Sequence, residues 1–180
     1  PMAFQMASHQ EPATTITRNI LFGTVPQYKI PSNPYNHVGH AEGILIGGNL
    51  SSYCSVAATK YHLPAKHDII LFVEEVEESL HDIDRLFYML RLQPDFERIK
   101  AIIFGSFSSI KYDLQYGSVE QMLIAHLKEF DIPICCDFPV GRNSCIPLIE
   151  GAPCSLDVTG THAILTYTGV PPIEDRKSVV

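Results

Sequence analysis

Residues 69–90 read IILFVEEVEESLHDIDRLFYML. Ile69 to Val73 run apolar without alternation, the pattern of a strand buried on both faces rather than one with a wet side. Ser79 and Asp82 then make an N-terminal helix signature, and Ile83, Leu86, Phe87 and Leu90 fall at i, i+3, i+4 and i+7, an apolar stripe. A doubly buried strand feeding directly into an amphipathic helix is half of a parallel crossover.

The same unit recurs downstream. AIIFG at 101–105 is a second buried run, Ser118 and Gln121 open a second helix carrying Met122, Leu123, Leu127 and Phe130, and IPICCDF at 132–138 is a third run. Upstream, GILIGG at 43–48 reads as a short strand closed by two glycines, and the small residues of 51–59 as a helix. Ser155 to Val158 and Ala163 to Tyr167, parted by TGTH, predict an antiparallel hairpin. The expected fold is α/β, with a mixed, partly parallel sheet carrying helices on one side and a β-rich element on the other. Residues 1–38, rich in proline, read as an irregular linker with a weak helix from Thr14 to Phe22; residues 39–170 form the domain and 171–180 a tail.

With 180 residues and 46% hydrophobic content, one domain with a sizeable core is expected. A net charge of −7 with scattered Lys and Arg argues against gripping nucleic acid. No apolar run approaches the roughly 20 residues that span a bilayer, so no membrane role is expected, and no signal peptide is evident at the N-terminus. The five cysteines include no zinc-like spacing and read as buried thiols in a reducing compartment. The absence of an initiator methionine suggests a piece of something longer.

Ligands of a parallel sheet gather at the carboxyl ends of its strands, here the loops 74–78, 106–109 and 139–144. Glu74, the first polar residue beyond a buried strand, is the carboxylate expected to be partly desolvated, while Glu75, Glu77 and Glu78 are expected to face water. Periodicity alone leaves open a second reading, in which all four glutamates form a solvated loop ahead of a helix N-terminus. His37 and His40 read as exposed loop residues more readily than as a metal pair. Asp84 and Arg85 point apart on their helix, each free to tether a neighbouring segment.

Taken together, GHAEGILIGGNLSS at 39–52, ILFVEEV at 70–76, IDRLFYMLRL at 83–92, AIIFGSFS at 101–108, IPICCDFPVG at 132–141 and LDV at 156–158 resemble the C-terminal domain of the LD-carboxypeptidase family. This family of serine peptidases includes muramoyltetrapeptide carboxypeptidases and microcin C immunity peptidases. PMA at 1–3 resembles the end of the HGPM segment that leads out of the family's N-terminal domain.

The resemblance implies a swivelling three-layer β/β/α domain, no cofactor or metal, and a cytoplasmic homodimer acting on murein peptides or peptidyl-nucleotide antibiotics. It also implies a Ser-His-Glu triad divided between two domains, with the serine on an N-terminal nucleophile domain. Glu74 matches the triad glutamate, and Asn49 is expected to bind substrate. The family histidine follows a phenylalanine-proline-x-glycine turn, but FPVG at 138–141 is followed here by Arg142. A guanidinium stays protonated and accepts no proton, so Arg142 cannot be the general base. The resemblance therefore implies either a hydrolase half that supplies Glu74 to a partner domain, or a catalytically dead peptide-binding relative. His9, His40 and His81 are the other imidazoles from which a base could come.

Overall fold

The computed structural model describes residues 13–56, 59, 66–111, 117–142 and 144–169. Its centre is a seven-stranded mixed sheet. The strands are β1 (Gln27–Pro31), β2 (Gly39–Asn49), β3 (Ile69–Val76), β4 (Ile99–Ser108), β5 (Ile134–Cys135), β8 (Pro153–Val158) and β9 (His162–Tyr167), in the order β1-β9-β8-β2-β3-β4-β5. A separate two-residue ladder joins β6 (Val140–Gly141) to β7 (Ser144–Cys145).

The strand β2 explains how one hydrogen-bonded sheet becomes two layers. Its first half, residues 39–44, pairs antiparallel with β8; its second half, residues 44–49, pairs parallel with β3. Beyond β2 the antiparallel strands pack over one face of the parallel ones, so alternate residues of β3 enter different cores. Ile69, Leu71 and Val73 pack with Ile83, Phe87, Leu90, Leu123 and Leu127 of the helices. Ile70 and Phe72 pack with Tyr28, Phe138, Leu156 and Leu165. This is the expected three-layer β/β/α arrangement, and it accounts for the absence of alternation in 69–73.

The helices α1 (Ala13–Leu21), α2 (Leu50–Ser55), α3 (Leu80–Arg91) and α4 (Val119–Leu127) begin and end where local chemistry stops them. The hydroxyl of Ser79 accepts from the Asp82 N–H at 3.1 Å and donates back to the Asp82 carboxylate at 2.6 Å. Ser118 and Gln121 form the full reciprocal capping box. Gly23, with φ +89°, lies just past α1. Between α3 and α4, Asp84 reaches His126 at 2.6 Å, whereas Arg85 turns back to Asp82.

Two expectations are corrected. Part of the stretch read as an irregular linker is ordered: beyond the predicted helix, β1 pairs with β9 at the sheet edge, and Tyr28 is buried, its ring edge-on to Phe138 and Tyr167. Its signal was the alternation of Tyr28 and Ile30 between flanking prolines. The third apolar run is also mostly not strand. Only residues 134–135 pair with β4, because Pro133 offers no N–H and Asp137 adopts φ +58°.

Among the described residues no helix is long and apolar enough to cross a membrane. Cys135, Cys136 and Cys154 are buried free thiols, each pushed up to about 12 chiefly by that burial.

Candidate active site

The carboxyl ends of β3 and β4 and the short β6–β7 hairpin converge on one rim. Three non-glycine residues with left-handed backbone follow the ends of β3, β4 and β5: Glu77 (φ +64°), Ser109 (φ +55°) and Asp137 (φ +58°). Such conformations cost energy and persist where the surroundings enforce them. The β3–β4 register slips between Val73 and Glu75, and Glu74 lies at the irregularity.

Room for the Glu74 side chain depends on two glycines. A Cβ on Gly105 would meet the Val140 carbonyl oxygen at 2.6 Å and Glu74 Cβ at 3.2 Å, and one on Gly141 (φ +126°) would stand 3.2 Å from Glu74 Oε2. The Glu74 carboxyl is raised above the usual range, first by burial and then by the negative charge of Glu75; the neighbouring Asn49 amide and the Arg142 charge pull it partly back.

Glu75 is the main correction at the site. Expected to face water, it is 2% exposed. Asn49 Nδ2 donates to its Oε1 at 2.5 Å, Ser51 N to its Oε2 at 2.8 Å, and its own Val76 N–H to Oε1 at 2.9 Å. The signal lay in strand parity, since Glu75 shares the face of Ile69, Leu71 and Val73 and so points towards the helices rather than outward.

Asn49 is the N-cap of α2. Its Oδ1 accepts from Ser51 Oγ at 2.8 Å and Ser52 N at 3.1 Å, so its amide serves the cap and Glu75. Arg142, beside the turn of the β6–β7 hairpin, donates to Glu77 Oε1 at 2.8 Å, with side chains 60% and 70% exposed. The expected carboxylate Glu74 and the cation Arg142 thus share a rim, but the direct salt bridge is to Glu77.

The candidate histidines are dispersed. His40 binds Asp157 at 2.6 Å near the start of β2, nine residues and about 30 Å of strand from Asn49. His37 bonds the Ile132 carbonyl at 2.8 Å beside β5, so the two do not form a pair. His81 stands exposed on the first turn of α3; His9 lies outside the described residues. Among the described residues no three His, Cys, Asp or Glu side chains are grouped to hold a metal ion. The rim offers a partly buried carboxylate able to accept from, and stabilise, a cationic donor brought to it.

Fold and rim together define an α/β domain with a carboxylate held at the ends of parallel strands. The LD-carboxypeptidase C-terminal domain profile matches residues 42–156, and the chain belongs to that family. It is 29% identical over 115 residues to the murein tetrapeptide carboxypeptidase of Pseudomonas aeruginosa, covering 62% of this chain and 38% of that protein. It is 30% identical over 128 residues to the microcin C7 self-immunity protein MccF of Escherichia coli, covering 71% and 32%. The chain thus spans well under half the length of these curated relatives. The crystal structure of muramoyltetrapeptide carboxypeptidase from Oxalobacter formigenes shares the fold with a TM-score of 0.80 at 24% identity, over 90% of this chain and 56% of that one.

Proposed function

We propose that the chain is the carboxylate-bearing half of a serine LD-carboxypeptidase that hydrolyses the amide to the terminal D-amino acid of a murein tetrapeptide. Glu74 orients and stabilises an imidazolium, and the serine nucleophile comes from an N-terminal domain outside this chain. The observation that carries this reading is the placement of Glu74, partly buried at the end of β3 in space left by Gly105 and Gly141. Arg142 offers no proton acceptor, so the base comes from another imidazole, and the isolated chain is inactive. The full-length protein acts as a cytoplasmic homodimer in peptidoglycan recycling, without a metal or organic cofactor.

The test is D-alanine release from a murein tetrapeptide by the full-length protein: wild type active and Glu74→Ala inactive supports the reading, and equal activity refutes it. A second reading, a peptide-binding module without catalysis, is favoured by the exposed Arg142 guanidinium at the rim, a good partner for a peptide carboxylate. Calorimetry with the tetrapeptide then shows binding that weakens in Arg142→Ala; unchanged binding sinks it.

A further inference from the structure

At the opposite end of the parallel strands from the rim lies a cavity of about 300 Å3 that the proposed chemistry does not use. It forms where the end of α4 meets the amino end of β5 and the segment leading into β2, with Tyr35, Ile124, Leu127, Phe130 and Ile134 as apolar walls. Small-molecule sites start at about this volume and combine apolar walls with a few polar groups. The walls are tied together before anything binds: His37 and Ile134 exchange both backbone hydrogen bonds at 3.0 Å, and Asn33 Oδ1 accepts from Tyr35 N at 2.9 Å.

Three polar residues line the cavity, and their existing partners decide what they have left to offer. His37 is engaged: Nδ1 donates to the Ile132 carbonyl at 2.8 Å, and Nε2 faces the exposed Asp131 at 3.9 Å. Lys128, just past α4, is exposed and makes no ion pair among the described residues, while its neighbour Glu129 is held by Arg91. Asn36 accepts from the Cys136 N–H at 2.7 Å through Oδ1, which fixes the orientation of its amide and leaves Nδ2 enclosed without an acceptor. An enclosed donor with no acceptor is costly and calls for a partner.

We propose that this cavity is a binding site for a small aromatic carboxylate. The ring packs on the apolar walls, and the carboxylate takes Lys128 as counter-charge and gives Asn36 Nδ2 its missing acceptor. The amide reaches it by a small rotation about its broad terminal torsion, with Oδ1 kept on Cys136. A neutral ring leaves both polar groups unmet, and an ammonium meets a cation and a donor. The inference is independent of the catalytic reading of Glu74.

The probe is 4-fluorobenzoate, titrated into the full-length protein and followed by 19F NMR, with 4-fluorobenzyl alcohol and 4-fluorobenzylamine as neutral and cationic controls. The benzoate should bind saturably and about 3- to 10-fold more tightly than the alcohol, the scale of one charge-assisted contact at a partly exposed site; the amine should bind more weakly than either. Lys128→Met should bring the benzoate to the level of the alcohol. Asn36→Asp, which keeps an oxygen for the Cys136 N–H but replaces the donor with a negative charge, should abolish benzoate binding. Ile124→Trp, which fills the cavity, should remove benzoate and alcohol alike. Equal binding of the three probes overturns the proposal, as does benzoate affinity unchanged in Lys128→Met or retained in Ile124→Trp. If Asn36→Asp does not fold, the exposed Lys128→Met and the control probes still decide.

Discussion

Glu74 and Glu75 are consecutive on β3 yet belong to opposite faces of the sheet: Glu74 packs between Gly105 and Gly141, and Glu75 lies among the N–H groups that begin α2. Their separation onto the two faces of β3, one towards the antiparallel strands and one towards the helices, follows from the two-residue period of a strand. The site's behaviour depends on it, since each carries a different task.

Loss of the Glu74 carboxylate should cost the full-length enzyme about 10³- to 10⁴-fold in kcat, the scale for removing the acid that orients a catalytic imidazole. Stability should move the other way. The Glu74 carboxyl is raised in the folded state, so its protonated form is the one the fold favours; ionisation costs stability as pH rises from the ordinary glutamate range through the raised value. Glu74→Gln should therefore melt higher than wild type at neutral pH, an advantage that disappears below the ordinary range, as thermal melts at pH 3 to 8 would show.

Gly141→Ala should destabilise by about 1 to 3 kcal/mol, because φ +126° strains any side chain and the new methyl meets Glu74 Oε2 and Ser106 Cβ. Urea denaturation would measure the loss. Addition of a methyl at Gly151, where φ is +79° but no atom lies within 4 Å, should show backbone strain alone and leave D-alanine release unchanged.

Asn49→Ala should cost about 2 to 4 kcal/mol, combining the lost helix cap with a buried Glu75 oxygen deprived of its donor. Asn49→Asp retains a capping oxygen but sets a third carboxylate beside the other two, and should be no better. Equilibrium unfolding at pH 7 compares the variants.

Arg142→Ala should change stability by less than about 1 kcal/mol, since its pair with Glu77 is solvent-exposed. Arg142→His should leave D-alanine release by the full-length protein unchanged, because the proposed base is another imidazole; a clear rise would show that the residue after the FPVG turn is where the base belongs.

Thiol labelling at pH 8 should leave Cys135, Cys136 and Cys154 unmodified in the native chain, with Cys54, pushed up to about 11 mainly by burial, reacting slowly. All four should react in denaturant, and fast native labelling of Cys135 or Cys154 would contradict the packed sheet.

The parallel units were legible because their determinants are local. The continuous run 69–73, the stripe on α3 and the serine caps each depend on residues a few positions apart, and so does the hairpin of β8 and β9. The edge strand β1 was obscured by its prolines, and β5 was over-read because apolar character persists where Pro133 and Asp137 have already stopped the ladder.

At the site, the sequence by itself determined the chemical inventory: a carboxylate at the end of a buried strand, an asparagine after two glycines, and a guanidinium where a proton acceptor would be needed. Only the tertiary structure decided how these are shared out. It assigned Glu75 to the Ser51 N–H of α2 and the Asn49 amide, Arg142 to Glu77, and Glu74 to the gap between Gly105 and Gly141. The physical reason is that hydrogen-bond partners and desolvation are set by segments far apart in the chain, 24 residues for Ser51 and Glu75 and 65 for Glu77 and Arg142, and their meeting depends on sheet register rather than on any local preference.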